Sequence, residues 1–284
     1  MYKALTSFAT NNYDVRKSQI LEDDFTNQDE INEFLNIGYI EEYDDTLEIT
    51  ENGQYDVADY DNVDVDVEGS GGFVVPNGMK FQGSTLTDFP NLDFSEVTSA
   101  NSMFKDCIIT NVENLDMPNC TDVSYMFNGS KVKKVSFKSI GNTINISSMF
   151  NSCENLEEVS FPNNFAPQYL TSAFYRCLKL ETFPFNNIKP NNMSGMCLNC
   201  VALKNVPFLD TSNCLTMSSC FSNCSSLTAE SLNNILAMCI SATKIASSSE
   251  KTLKNVGLTQ DQVTICETLS NWDDFVAAGW SSGY

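Results

Sequence analysis

The chain of 284 residues contains no histidine. Histidine is the commonest general base, the usual partner of a nucleophilic serine or cysteine, and a frequent zinc ligand. Its absence excludes His-dependent catalytic groups and His-containing zinc sites. Catalysis by a pair of carboxylates or by a lysine stays open. The sequence assigns no catalytic residue, no metal ligand and no cofactor.

Basic residues are scarce. Sixteen Lys and Arg stand against 37 Asp and Glu, which gives a net charge of −21 at pH 7. Nucleic-acid binding draws much of its affinity from cations that neutralise phosphates, so we expect no nucleic-acid partner. The acidic residues concentrate at positions 22–24, 41–45 and 56–68. A solvated acidic surface explains them; calcium binding is the alternative, although no segment matches an EF-hand loop.

Long apolar runs are also missing. No run approaches the roughly 20 residues that a membrane helix requires. The first residues, MYKALTSFATNN, lack the basic-then-apolar layout of a secretory signal. We therefore expect neither membrane insertion nor export. Hydrophobic residues make up 42% of the chain, as in a globular protein, and the length suits about two domains.

What the sequence does have is a repeat. Anchor positions follow one another at intervals of 23, 23, 24, 23 and 24 residues: Phe104, Phe127, Phe150, Phe174, Cys197 and Phe221. Three residues after each anchor stands a small side chain: Cys107, Ser130, Cys153, Cys177, Cys200 and Cys224. We expect these small residues to stack on one another as a buried column.

An apolar–x–x–apolar–x–apolar run then follows in most copies, and its last residues alternate as in a strand with one buried face. Leu156, Val159 and Phe161 form one such run, and Leu203, Val206 and Phe208 another. Periods of 20 to 29 residues are typical of leucine-rich-repeat solenoids. One copy cannot bury its apolar face alone, so the copies must stack into a continuous core.

The copies resemble the BspA-type leucine-rich repeats of bacterial, protozoal and phage surface proteins. The likeness covers roughly residues 80–240 and is carried by LDFSEVTSANSMFKDC, LDMPNCTDVSYMFNGS and LDTSNCLTMSSCFSNCSSL. Ser130 in place of Cys and Cys197 in place of Phe depart from the pattern. The resemblance implies a solenoid of short strands and loops, which we place at residues 73–227. It also implies a binding or structural surface rather than a chemical activity.

Eleven cysteines allow three interpretations. Disulfides would leave at least one thiol unpaired, because the count is odd. A metal could bind Cys197 and Cys200 with the nearby Cys214, Cys220 and Cys224. Reduced cysteines could instead pack as small buried side chains. We favour the third, since five of the eleven belong to the predicted column.

Residues 228–284 lose the repeat and are predicted to form a helical cap that closes the solenoid core. Residues 229–242 have apolar side chains at helical spacing. Thr259 and Gln262 have the spacing of a capping box. LSNWDDFVAAGW, residues 269–280, is a third apolar segment, with Gly279 as its stop.

Residues 1–46 are predicted to be a small α+β module, with short strands, a helix at 29–36 and a returning strand in GYIEEY at 38–43. Residues 47–72 are predicted to be an acidic β-hairpin followed by a Gly/Ser linker. GYIEEY and LEITENGQYDVADYDNVDVDVEG (47–69) resemble phrases of phage virion proteins, which implies attachment to a virion. An exposed strand edge there would favour a homo-oligomer. The candidate contact residues are Tyr55, Val57, Tyr60, Val63, Val65 and Val67.

We therefore expect a non-enzymatic bacteriophage virion structural protein, assembled in the host cytoplasm, such as a head or tail fibre or decoration protein. Its N-terminal region would contact other virion proteins of the capsid or tail. Its solenoid would bind host-surface or environmental glycans or proteins. One alternative is a bacterial or prophage-encoded adhesin outside a virion. Another is a tail-associated carbohydrate-cleaving enzyme, which would need a carboxylate pair; Glu154, Glu157 and Glu158 lie close in sequence.

Overall fold

A computed structural model describes residues 73–75, 77–83, 92–141 and 145–284, together with the backbone of seven short strands nearer the N-terminus. Those strands are β1 Tyr2–Ala4, β2 Phe8–Ala9, β3 Asp14–Val15, β4 Ile20–Leu21, β5 Ile40–Glu42, β6 Thr46–Ile49 and β7 Asp64–Val67. β1 pairs with β4 and β5, and β2 with β3, all antiparallel. The predicted strands are thus present. The predicted helix at 29–36 lies outside the described residues.

The predicted acidic hairpin is wrong. β6 and β7 pair in parallel, with Thr46 opposite Asp64 and Ile49 opposite Val67. A hairpin needs antiparallel strands, whereas a parallel pair needs a crossover of about a dozen residues or more, and residues 50–63 provide that length. The alternation of apolar and acidic residues predicts a strand but does not fix its direction. Val65 and Val67 lie in β7; Tyr55, Val57, Tyr60 and Val63 lie outside the described residues.

The strand side of the solenoid is a parallel ladder. β8 Phe73–Val74 pairs with β9 Leu92–Asp93, and β10 Asn111–Met117, β11 Lys134–Ile140 and β12 Glu158–Ser160 form one parallel sheet. The next two coils meet in a single bridge between Thr182 and Asn205. Their strands stop because Pro184 and Pro207 follow, and proline has no N–H to donate to a ladder.

The opposite side of each coil is a run of overlapping turns. The N–H of each anchor donates to the carbonyl just before the next anchor, as from Phe127 to Met149 at 2.9 Å and from Phe150 to Ala173 at 2.8 Å. Residues two before and two after an anchor have a left-handed φ, such as Ser148 at 56° and Ser152 at 61°. Two left-handed positions in every coil explain why Ser, Asn and Gly recur there.

The core contains a column of stacked phenylalanine rings. The ring centroids of Phe81, Phe104, Phe127, Phe150 and Phe174 follow one another at 5.3, 5.4, 5.4 and 5.6 Å. Phe81 is an anchor that the sequence analysis missed. A second stack joins Phe137, Phe161 and Phe185 at 5.2 and 4.6 Å.

One predicted core residue is wrong. Phe208 was expected to point inward at the end of an apolar run, but it is 46% exposed, and the neighbouring Leu209 is buried instead. No strand forms after Pro207, so the period of two that would turn Phe208 inward is not maintained.

Four helices lie in the C-terminal region: α1 Ala229–Ser241, α2 Leu253–Val256, α3 Gln260–Cys266 and α4 Trp272–Ala277. The capping box of Thr259 and Gln262 is confirmed. The short α2 was not predicted, and it continues the turn ladder: Phe221 donates its N–H to the carbonyl of Val256 at 3.0 Å. Leu253 then donates to Ser281 at 3.0 Å, so the ladder extends well beyond residue 227.

Candidate binding surface

The column of small residues lies inside the solenoid, and its thiols bind the backbone. All six of its residues are at most 1% exposed. Each thiol donates to the carbonyl of the anchor one coil earlier, for example from Cys153 to Phe127 at 2.9 Å and from Cys200 to Phe174 at 2.9 Å. Cys107, Cys177 and Cys224 repeat this bond to Phe81, Phe150 and Cys197. A thiol thus fills a small space and binds a carbonyl that faces the core.

Ser130 fits the column as a substitute for cysteine, with its Oγ 3.6 Å from the sulfur of Cys153. Burial raises the pKa of Cys153 to about 12, and it raises the pKa of Cys177 and Cys197 as well. All eleven cysteines are free and buried. The described residues contain no group of three or more Cys, Asp or Glu side chains that could hold a metal ion. The thiols therefore build the scaffold and do not line its surface.

The outer surface of the turns is polar and almost uncharged. We call "turn face" the positions three and two residues before each anchor and one and two residues after it. The row three before the anchors is Asn101, Ser124, Ser147, Thr171, Ser194 and Ser218, of which Ser124 is buried and the others are partly exposed. The rows after the anchors include Asn128, Asn151, Ser152, Asn199, Ser222 and Asn223. Only Lys105, Asp106 and Arg176 of the turn face are charged, and Tyr125 is its most exposed aromatic residue, at 46%.

Asn, Asp and Thr side chains hold the entry to each turn in place. Asn145 accepts from the N–H of Ser147 at 2.9 Å, and Asn192 accepts from Ser194 at 2.9 Å. Such bonds from a side chain to the backbone two residues on are typical of Asx and ST turns. Tyr169 occupies the corresponding position in another coil, and its side chain cannot accept in this way. The regular polar residues therefore have a local structural cause as well as an outward-facing surface.

The strand side differs in charge from the turn face. Ion pairs join neighbouring coils there: Lys134 with Glu158 at 3.4 Å, Lys204 with Glu181 at 2.8 Å, and Lys138 with Asp116. The hydrogen bond from Lys138 is the main reason that the pKa of Asp116 is lowered. These pairs are exposed, and exposed pairs contribute at most about 1 kcal/mol each.

Glu154 and Glu158, which a carbohydrate-cleaving enzyme could use as its carboxylate pair, form ion pairs with different residues. Glu154 pairs with Arg176 at 2.7 Å on one neighbouring coil, whereas Glu158 pairs with Lys134 on the other. A glycosidase needs two carboxylates on either side of one substrate. The described geometry ties these two carboxylates to different cations at the surface.

Helix α1 closes the strand side at the last coil. The Ser231 hydroxyl accepts from the N–H of Val206 at 2.8 Å and donates to the carbonyl of Lys204 at 2.7 Å. The Asn234 amide donates to the carbonyl of Val206 at 2.9 Å. Two side chains of α1 thus take the place of the next strand, and they satisfy backbone groups that an edge strand would leave open.

Two cavities lie near this closed end. One of about 300 Å³ is bounded by the first turn of α1 and by the segments 182–186 and 205–207. The other, of about 440 Å³, is lined by Gln168, Lys189, Asn191, Asn213, Leu215 and Lys244. The Lys189 ammonium in the second cavity already pairs with Asp210 at 2.8 Å and lowers the pKa of that carboxyl to about 2. Nothing in the sequence pattern indicated either cavity.

No helix within the described residues combines the length and apolar character needed to span a bilayer. Searches of curated proteins and of solved structures returned no significant match. The chain matches the family described as BspA type leucine-rich-repeat region, which has six copies. The match covers residues 80–192 and 123–245, together more than half of the chain. The 23-residue period, the stacked anchors and the parallel ladder agree with this match. The chain therefore belongs to the BspA type leucine-rich-repeat family.

Proposed function

We propose that the protein is a non-catalytic binding protein that presents the turn face to glycans or proteins of a cell surface. The observation that carries this proposal is the contrast between the turn face and the rest of the molecule. The chain has a net charge of −21, yet six successive coils present hydroxyl and amide groups with only three charges. Neutral polar groups with an occasional tyrosine are also the composition that antibody binding loops use for adaptable recognition.

The regular spacing of the coils favours a multivalent mode of binding. Parallel rungs recur about every 4.8 Å, so the same donors and acceptors are offered several times along one face. Weak contacts at each coil add up when several engage together. A rigid, fully buried core holds these groups in place before the ligand arrives, which lowers the entropic cost of binding.

We further propose that residues 1–72 attach the solenoid to a phage particle and form a homo-oligomer. The similarity of residues 38–43 and 47–69 to phrases of virion proteins supports the attachment. Charge supports a separate role for this region, because it holds three basic and 19 acidic residues and so carries −16 of the −21 charges. Mass spectrometry of purified particles should then find the protein in many copies, and light scattering of the purified chain should give a multiple of 31.5 kDa. A monomeric chain in solution would refute the homo-oligomer, and absence of the protein from purified particles would refute the attachment.

The binding role is tested on the full chain. Replacing Ser147 and Ser194 by Glu places two negative charges on the turn face, and a glycan array or a cell-binding assay should then show at least about a tenfold loss, which is 1.4 kcal/mol. Thr243→Glu and Ser248→Glu add the same charge at exposed positions outside the turn face and serve as the control. Equal loss in both pairs would mean that net charge, not the turn face, governs binding.

A further inference from the structure

The smaller cavity exists because a helix replaces a strand. Neighbouring strands approach to about 4.8 Å, whereas a helix with its side chains is about 10 Å wide and stands further off. Ser231 and Asn234 bridge this larger gap to Val206, as described above. A space of about 300 Å³ is left beside those bonds, open between the first turn of α1 and the two prolines Pro184 and Pro207.

The walls of this cavity present two kinds of surface. The half-buried Pro184 and Pro207 provide the apolar lining, whereas Phe183 and Phe185 are at most 4% exposed and belong to the core. The polar lining includes the amides of Asn186, Asn205 and Asn234 and the carboxylate of Glu230. None of the residues that line the cavity is a lysine or an arginine. An anionic ligand would meet Glu230 and no cation, so phosphate, sulfate and acidic sugars are poorly suited.

We propose that this cavity is a binding site for one neutral sugar ring of a glycan. A pyranose ring has an apolar C–H face and an edge of neighbouring hydroxyl groups. Pro184 and Pro207 suit the face, since apolar C–H surface gains by packing against apolar side chains. Amides both donate and accept, and a carboxylate accepts at two oxygens, so together they match a row of hydroxyls that do both.

Two of the amides are already oriented for this role. The Asn234 nitrogen is fixed on the carbonyl of Val206, and the Asn205 nitrogen donates to Thr182 Oγ at 3.2 Å. Their amide oxygens accept no hydrogen bond from any residue that the structure describes, and so they remain available for ligand hydroxyls. Side chains held in one position before binding lose less entropy when a ligand arrives.

The site is separate from the turn face and on the other side of the coils. Its volume lies at the lower end for small-molecule pockets, about 300 to 1,000 Å³, which suits one ring better than an oligosaccharide. One ring with few contacts implies a weak, millimolar affinity, and repetition over many copies would strengthen it.

The test is titration of the full-length protein with the methyl glycosides of glucose, galactose, mannose and N-acetylglucosamine, followed by NMR or calorimetry. We expect at least one to bind, and Glu230→Ala to weaken it by about tenfold. Asn205→Leu replaces a polar lining group of the cavity by an apolar side chain and should abolish sugar binding. Ser248→Ala, at an exposed position outside both the cavity and the turn face, is the control and should leave sugar binding unchanged. Circular dichroism checks that each variant keeps its fold.

Three outcomes would overturn the proposal. The first is that none of the four glycosides binds at the highest soluble concentration. The second is that binding survives both Glu230→Ala and Asn205→Leu. The third is that a neutral peptide competes for the same residues and binds more tightly than every sugar. If the Ser147 and Ser194 variants lose binding at the turn face but still bind the sugar, the turn face and the cavity are independent sites.

Discussion

Raising the pH above about 9 should unfold the solenoid, because burial holds its thiols in the neutral form. Burial raises the pKa of several thiols that have no exposed surface, among them Cys153, Cys214, Cys220, Cys239 and Cys266. In the unfolded chain a thiol ionises near pH 8.5. The folded pKa lies above that value, so each thiol contributes its full stability below about pH 8.5. That contribution is lost as the pH rises toward the folded pKa.

The size of the effect follows from the number of thiols. Each one costs about 1.4 kcal/mol for every pH unit above the unfolded pKa. Five together cost about 7 kcal/mol at pH 9.5, which is comparable with the whole stability of a typical domain, about 5–15 kcal/mol. We therefore expect the folded state to be lost between about pH 9 and 10.5. A protein with exposed thiols would show no such slope.

The assay is urea unfolding followed by circular dichroism at pH 7, 8, 9 and 10, with a reductant present. The matched variant is Cys153→Ser, because Ser130 shows that the column accepts a hydroxyl in the neighbouring coil. Removing one titrating thiol should reduce the slope of the free energy of unfolding against pH by about 1.4 kcal/mol per unit above pH 9. Equal unfolding midpoints at pH 7 and pH 10, or a slope that Cys153→Ser leaves unchanged, would refute the reasoning.

Three further changes test the packing of the coils by thermal or urea unfolding. Phe127→Ala in the middle of the ring stack should lower the free energy of unfolding by about 4 kcal/mol and the Tm by about 10 °C. Phe208→Ala, at a 46% exposed position, should lower the free energy of unfolding by less than about 1 kcal/mol. Similar losses in the two variants would contradict the importance of the ring stack. Ser231→Ala should lower the free energy of unfolding by about 1–3 kcal/mol, because it leaves the N–H of Val206 unpaired while the carbonyl of Lys204 keeps its bonds from Thr228, and hydrogen exchange at Val206 should quicken. Gly141→Ala should cost about 1–3 kcal/mol, since its Cβ would lie 2.3 Å from the carbonyl oxygen of Cys120; a neutral result would show that the two coils can move apart.

The repeated part of the fold could be predicted because one residue type returns at a fixed spacing. The 23- and 24-residue intervals locate the anchors, and the small residue three positions later follows from the same register. The repeat pattern does not identify Phe81, because Met79 lies two residues before it, whereas in other copies the methionine directly precedes the anchor. Phe208 was misplaced because the rule of alternation holds only while a strand continues, and Pro207 ends it.

The parts that depend on pairing between distant segments could not be predicted in this way. Acidic alternation in residues 64–67 indicates a strand but is the same for a parallel and an antiparallel partner. The four-residue α2 is too short for a helical period, and only its place beside Phe221 shows that it continues the ladder. The cavity of about 300 Å³ forms where α1 lies beside a strand edge. Because its lining comes from segments that are distant in sequence, no sequence motif predicts it.

Charge separation along the chain connects the proposed attachment with the proposed binding. A solenoid that kept the average acidity of the whole chain would repel negatively charged cell surfaces at every coil. With −16 of the −21 charges in residues 1–72, the remaining 212 residues carry only −5, and the turn face has almost none. Most of the net charge therefore belongs to the first 72 residues of the chain, while the repeated face stays neutral enough for close contact. Moving acidic residues onto that face should weaken binding more strongly at low salt than at high salt, since screening shortens the reach of the repulsion to about 10 Å at 0.1 M.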